Sequence, residues 1–345
     1  MAAYKDLIGQ KITKVTSNPG EPKTGQMWYN STDGKLKGLG IIEAWSSASP
    51  LIEANYGAAG AGSQTAMIYF GGSPYPPKTN KTAEYNGTGW SAGGNYTGTV
   101  NYLAGCGTLT AGLGAGGFTG TATLTASAEY DGSSWTSGNS MSNQRMNTGS
   151  TMVGLQTSAL ITGGDQYPST PRSLSACEEY DGTNWTAGGA YPVVIQNTAQ
   201  AGTQTAGWAA GGQSDPAPGV SNIVRNATNH YDGSSWSAGG NLPGAQMRAG
   251  AAGTQTAGLI FGGTPNGPTN VATTFAYDGS TWSSKPALAT ARQSIAAGGV
   301  SSTSTAAIGA GGYVTPGVTG ATEEYNKSTN TITAAAWASG PALGT

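Results

Sequence analysis

The 345-residue sequence predicts an all-β fold made of six tandem repeats. Three observations carry this reading: an aromatic phrase that recurs through the chain, a Gly-Gly pair ahead of each copy, and apolar runs too brief for ordinary helices. The phrase is Tyr-(Asn/Asp)-Gly-x-x-Trp, found at Tyr85–Trp90, Tyr130–Trp135, Tyr180–Trp185, Tyr231–Trp236 and Tyr277–Trp282. A degenerate sixth copy opens at Tyr325, keeps Asn326, lengthens the turn and places Ile332 where the tryptophan stands elsewhere. The glycine pairs Gly71-Gly72, Gly116-Gly117, Gly163-Gly164, Gly211-Gly212, Gly262-Gly263 and Gly311-Gly312 follow one another at 45, 47, 48, 51 and 49 residues.

Each unit reads as four strands. The first carries Asn101, Arg145, Asn197, Arg248 or Arg292, then small residues and a Gly-Thr-Gln-Thr-Ala type stretch. The second is the run that ends in Gly-Gly, as in 65–72 and 256–263, whose length and flanking loop residues fit a buried strand. The third and fourth flank the Asn-Gly or Asp-Gly pair, a hairpin signal that predicts a two-residue turn with positive φ at both positions. Such a unit cannot cover both of its faces alone, and radial stacking about an axis covers them while leaving only short edges. The expected architecture is therefore a six-bladed β-propeller over residues 41–345, preceded by a hairpin arm over 1–40. Trp45 lies 45 residues ahead of Trp90 and either completes the last blade or marks a partial extra unit, so seven blades is the alternative.

The Gly-Gly strand, the tyrosine about a dozen residues on, the tryptophan and the arginine of several first strands together resemble kelch repeats, over roughly residues 46–345. That resemblance implies a kelch-like propeller. The Tyr-to-Trp distance is shorter here and the units are poorer in charge than in typical kelch proteins.

The arm differs from the repeats. It holds Lys5, Lys11, Lys14, Lys23, Lys35 and Lys37, a turn-rich break at 18–22, and a predicted hairpin over 25–37 around Thr32-Asp33-Gly34. The phrase from Pro22 to Lys37, with Gly25-Gln26-Met27-Trp28-Tyr29-Asn30 at its centre, resembles a segment near the N-termini of phage structural proteins, especially tail and fibre proteins of marine cyanophages. Those phages also encode Gly/Thr/Ser-rich kelch-like propellers. The resemblance implies a bacteriophage virion protein, assembled in the host cytoplasm, whose arm contacts other virion proteins through candidate anchoring residues Trp28 and Tyr29. The plainer alternative is a two-stranded cap on the propeller.

Composition narrows the function classes. Charged residues make up 9% of the chain against roughly 25% in an average domain, and the net charge is −2 with no Lys/Arg cluster. Neither nucleic acid nor an anionic membrane is an expected partner. No apolar stretch is long enough for a membrane span, and the start lacks the layout of a secretory signal, so a soluble, unexported chain is expected. Cys106 and Cys177 fall at non-equivalent repeat positions and read as buried free thiols.

Catalytic chemistry is sparse. His230 is the single histidine and stands where other repeats have Glu84, Glu129, Glu179, Ala276 and Glu324, which makes it a structural residue. One histidine leaves no usual zinc or copper set, no triad base and no kelch-type copper oxidase. Glu84, Glu129, Glu179 and Glu324 recur at one position, which points to a shared structural bond, and Asp131, Asp181, Asp232 and Asp278 read as turn residues. The phrase Asp-Gly-x-x-Trp resembles the Asp box of sialidases, but here Asp and Gly are adjacent and no arginine triad accompanies them. No catalytic residue, metal or cofactor is predicted.

The irregular loops after the Gly-Gly strands are the better place to look for binding, since recognition concentrates in loops on a rigid scaffold. They are 73–81 with Tyr75, 164–172 with Tyr167 and Arg172, 213–225 with Asp215 and Arg225, and 264–269, and they are expected on one face. The expected function is a non-enzymatic virion structural protein, a propeller on tail, fibre or capsid that contacts the host surface. The alternative is a carbohydrate-binding lectin or adhesin, with a host-surface glycan as partner; a propeller hydrolase using Asp165 or Asp215 comes third.

Overall fold

The computed structural model describes residues 12–74, 77–169, 172–215, 223–265 and 269–333. Among them there is no helix, and the strands gather into small four-stranded antiparallel sheets, an all-β fold of β-propeller-like character. Contacts divide the chain after Glu43 and after Asn326 into two compact units: 12–43 with 327–333, and Ala44–Asn326.

In the larger unit each of repeats 1 to 5 forms its own four-stranded sheet. Repeat 1 runs through Ala59–Ser63, Ala66–Phe70, Thr82–Tyr85 and Trp90–Gly93, and repeat 3 through Val153–Leu155, Ser158–Thr162, Cys177–Tyr180 and Trp185–Ala187. Successive strands pair antiparallel, with each tyrosine opposite its tryptophan, as in Tyr130↔Trp135. The turn between them differs from the two-residue expectation. It spans four residues, and Asp131 Oδ1 accepts the N–H groups of Ser133 and Ser134, both at 2.8 Å. With the carboxylate closing the turn, only the glycine needs positive φ, and Gly132 sits at 93°. Exposed as it is, Asp131 is held down to about 2 by those backbone and hydroxyl bonds.

The core lies between neighbouring sheets. Ile68 and Phe70 of repeat 1 pack with Tyr130 and Trp135 of repeat 2, all buried. Burying a side chain such as Phe70 fully contributes about 1.5–3 kcal/mol.

Three sets of bonds, present in whole or in part, link neighbouring repeats. Tyr180 Oη donates to Glu129 Oε1 at 2.8 Å and Tyr231 Oη to Glu179 Oε1 at 2.5 Å, while Tyr130 binds Glu84 in the same way. His230 takes the glutamate's slot and its Nε2 bonds Tyr277 Oη at 2.9 Å. The glutamine of the Thr-Gln-Thr turn clasps the preceding repeat's backbone: Gln204 Nε2 donates to Ala159 O at 2.9 Å and Tyr180 O at 3.1 Å. Tryptophan Nε1 groups donate to the residue that opens the preceding third strand, Trp135 to Thr82 Oγ1 at 2.9 Å and Trp282 to Thr228 Oγ1 at 2.9 Å. Repeat 1 makes the same three bonds to repeat 6: Tyr85 to Glu324 Oε1 at 2.7 Å, Gln64 to Tyr325 O at 3.0 Å and Trp90 to Thr322 Oγ1 at 3.0 Å. First strands of successive repeats lie against one another, and Ala296–Ala297 of repeat 6 lies against Ala59–Ser63 of repeat 1.

The sixth copy departs from the sequence reading. Thr322–Thr333 is one uninterrupted strand with no turn after Tyr325, because Asn326 is followed by Lys327 where the other copies have the glycine that takes positive φ. Ile332 therefore does not fold back. Trp45, on strand Lys35–Ala48, stands in the tryptophan's place: its ring centroid is 5.4 Å from that of Tyr325, and its Nε1 donates to Thr274 Oγ1 of repeat 5 at 2.9 Å.

The smaller unit holds the hairpin predicted around Asp33, with Met27–Asn30 antiparallel to the strand that opens at Lys35, and adds Thr13–Val15 in parallel against Met27–Asn30. Asn30 Oδ1 accepts the N–H of Thr32 at 3.0 Å and of Asp33 at 3.2 Å, which shapes the turn. Alternation along Met27–Asn30 buries Trp28 and Asn30 and exposes Met27 and Tyr29.

Candidate functional site

Antiparallel pairing gives every repeat two ends. One carries the Thr-Gln-Thr and Asp-Gly turns; the other carries the segment that enters the repeat and the loop after Gly-Gly. At this second end the residue twelve positions after each tryptophan adopts the left-handed conformation: Gly57 (φ 63°), Tyr102 (56°), Asn147 (55°), Asn197 (58°), Arg248 (58°) and Ser294 (53°). These residues are joined head to tail by backbone bonds, with Tyr102 N donating to Gly57 O at 2.6 Å, Asn147 N to Tyr102 O at 2.9 Å, Asn197 N to Asn147 O at 2.5 Å, Arg248 N to Asn197 O at 3.0 Å and Ser294 N to Arg248 O at 2.8 Å. Asparagine and glycine enter this region easily, whereas Tyr102 and Arg248 are held there at about 1–3 kcal/mol each. The belt lines a cavity of about 20 Å³, room for roughly one water molecule.

Arg248 Nη1 donates to Gln293 Oε1 at 3.3 Å, and its buried Nε has no partner among the described residues. Tyr56 packs edge-on to Tyr102 at 5.9 Å and lies 5.7 Å from Tyr313. Burial, together with the bond to Tyr56, pushes the Tyr102 hydroxyl above its ordinary value.

The residue that opens each loop after Gly-Gly is bridged to the entering segment, as Tyr56↔Ser73, Asn101↔Phe118, Met146↔Asp165, Gln196↔Gln213, Met247↔Thr264 and Gln293↔Tyr313. The loops singled out in the sequence thus start at one end of the sheets. Tyr167 is exposed, with Phe118 at 5.9 Å and the Arg172 guanidinium 5.4 Å from its ring. Arg172 Nε donates to Asp165 Oδ1 at 3.1 Å, and burial raises the Asp165 carboxyl despite that pairing. Asp215 N donates to Ser173 Oγ at 3.1 Å, which brings the loops of repeats 3 and 4 together, and Arg225 Nε donates to Ser214 Oγ at 2.6 Å. Tyr75 lies outside the described residues.

Two sequence readings need correction. Arg145, Arg292, Asn197 and Arg248 are not one position. Arg145 and Arg292 stand ten residues after their tryptophans and are fully buried, paired with Glu178 (2.5 Å) and Glu323 (2.8 Å), whereas Asn197 and Arg248 belong to the left-handed belt two residues further on. Trp28, read as an anchoring residue, is fully buried, with its Nε1 3.4 Å from Asn18 Oδ1, because strand alternation turns it inward; Tyr29 faces out. The belt itself went unread, although counting twelve residues from each tryptophan finds it.

Among the described residues no three His, Cys, Asp or Glu side chains gather as a metal-ligand set. Cys106 and Cys177 are buried free thiols that burial pushes up. Compared with known proteins, the chain matches no family model and no curated sequence.

Proposed function

We propose that the chain is a closed six-bladed propeller of kelch-like type that serves as a non-enzymatic structural protein of a bacteriophage virion, displayed on tail, fibre or capsid. The observation that carries the propeller reading is that repeat 1 makes to repeat 6 the three bonds that every other neighbouring pair shares in whole or part, through Tyr85, Gln64 and Trp90. The structural reading is supported by where the recurring polar side chains go. The repeated glutamates accept from tyrosines, the repeated aspartates close turns, and the repeated glutamines clasp backbone carbonyls. The virion assignment rests on the resemblance of residues 22–37 to phage tail and fibre proteins, with the exposed Tyr29 as the arm residue open to other virion proteins. The end of the sheets that bears Tyr167, Arg172, Asp215 and Arg225 is the proposed surface toward the host.

Gold-labelled antibody against residues 44–326, imaged by electron microscopy on purified particles from the source, tests this. Label on tail or fibre makes host attachment the role, label over the capsid makes it decoration, and unlabelled particles overturn the virion assignment in favour of a free lectin, which a glycan array then examines.

A further inference from the structure

Repeats 3 and 6 carry a buried ion pair that repeat 1 lacks. In repeat 3 the Glu178 carboxylate accepts the backbone N–H of Ser142 at 2.6 Å and of Asn143 at 3.1 Å, and pairs with Arg145, whose Nη1 donates to Gly163 O at 2.8 Å. Repeat 6 repeats the arrangement, with Glu323 accepting from Ala289 N at 2.7 Å and pairing with Arg292 at 2.8 Å. Counting from the tryptophans and tyrosines, the counterparts in repeat 1 are Ile52 and Glu53 for the N–H groups, Asn55 for the arginine and Ala83 for the glutamate. Both halves of the ion pair are absent there. Asn55 keeps one bond of the arginine, its Nδ2 donating to Gly71 O at 2.9 Å, but its buried Oδ1 has no partner among the described residues.

The space is open. A cavity of about 310 Å³, lined by Leu51, Ile52, Glu53, Asn55, Tyr69 and Ala83 among others, occupies the counterpart position, at the lower end of small-ligand pocket volumes. No acceptor among the described residues takes the N–H of Ile52 or of Glu53. At the rim, Lys81 Nζ pairs with Glu53 Oε2 at 2.9 Å, with both side chains exposed. In repeat 3 the burial cost on the Glu178 carboxyl is more than offset by the Ser142 and Asn143 N–H groups with Arg145, and the acid is held below its ordinary range. By their place in the repeat, Ile52 and Glu53 are the counterparts of that seat, without the chain's own carboxylate.

We propose that this pocket in repeat 1 binds a small carboxylate-bearing ligand, its carboxylate on the N–H groups of Ile52 and Glu53 and its body in the space that the arginine fills in repeats 3 and 6. The chemistry is shared by simple organic acids and acidic sugars, and it stands whether or not the chain belongs to a virion. Tyr69 and Leu51 offer apolar wall, and Thr79, Thr82 and Asn95 offer hydroxyl and amide groups to a polar body.

The test is calorimetric titration of the full chain with propionate, glucuronate and, as the neutral control, glucose. Saturable binding of glucuronate or propionate, with glucose at least about tenfold weaker, is expected, since losing two charge-assisted bonds exceeds that factor. Tighter binding of glucuronate identifies an acidic sugar as the source, and equal binding identifies the acid group alone. Ala83→Glu, which supplies the carboxylate from within, should abolish binding. Ala83→Phe, the residue type that repeat 5 carries as Phe275, should do so without adding charge, and serves if the first variant does not fold. Glucose binding as well as glucuronate, binding that survives Ala83→Phe, or no binding of either acid overturns the proposal.

Discussion

The two ends of the sheets obey different rules. At the turn end the same residues recur and form the same bonds, from the aspartates that close the turns to the glutamines that clasp the neighbouring repeat. At the other end the backbone repeats, with a left-handed residue at each entry, while the side chains change from Tyr102 to Asn147 to Arg248 and the loops differ in length and charge. Identical contacts are what a stack of repeats needs for cohesion, since each unit's stability lies largely in its interfaces with its neighbours. Variation is free to accumulate where those interfaces do not depend on it.

Substitutions sharpen the contrast. The largest effect is expected at the aromatic interface: Trp185→Ala removes a buried ring packed 4.8 Å from Tyr180 and its bond to Ser127 Oγ, and should cost about 3–5 kcal/mol in urea unfolding. Gln204→Ala leaves two carbonyls of the neighbouring repeat without their donor and should cost about 1–3 kcal/mol by the same measurement. At the opposite end, Tyr167→Ala takes away an exposed ring and should change stability by no more than about 0.5 kcal/mol, while weakening attachment of particles to host cells in a binding assay. A loop substitution as costly as the Trp185 change would erase the distinction between the two ends.

The repeats, the four strands in each and the structural use of Glu129 and Asp131 were legible because they depend on local chemistry written identically several times. The two-residue turn was misread for a local reason: the aspartate side chain itself accepts the turn's N–H groups, so positive φ is needed once and not twice. The partner of the sixth repeat was legible as one of two options, because Trp45 keeps the 45-residue spacing to Trp90, whereas its contact with Tyr325 is made only by the tertiary fold. Arginines ten residues after a tryptophan and those twelve after look alike in an unaligned reading, yet Arg145 is buried in an ion pair and Arg248 borders a cavity. The missing ion pair of repeat 1 was not legible because only the fold shows that Arg145 meets Glu178 and Arg292 meets Glu323.

Trp45 also imposes an order of events on synthesis. The hydroxyl that it bonds belongs to Thr274 and the ring that it faces to Tyr325, so neither partner exists when the strand bearing Trp45 leaves the ribosome. At about 5–20 residues per second, some 15–55 s pass before Tyr325 is made. Throughout that interval the Trp45 end of the strand lacks its partners, and the last repeat, once translated, has a fourth strand waiting for it.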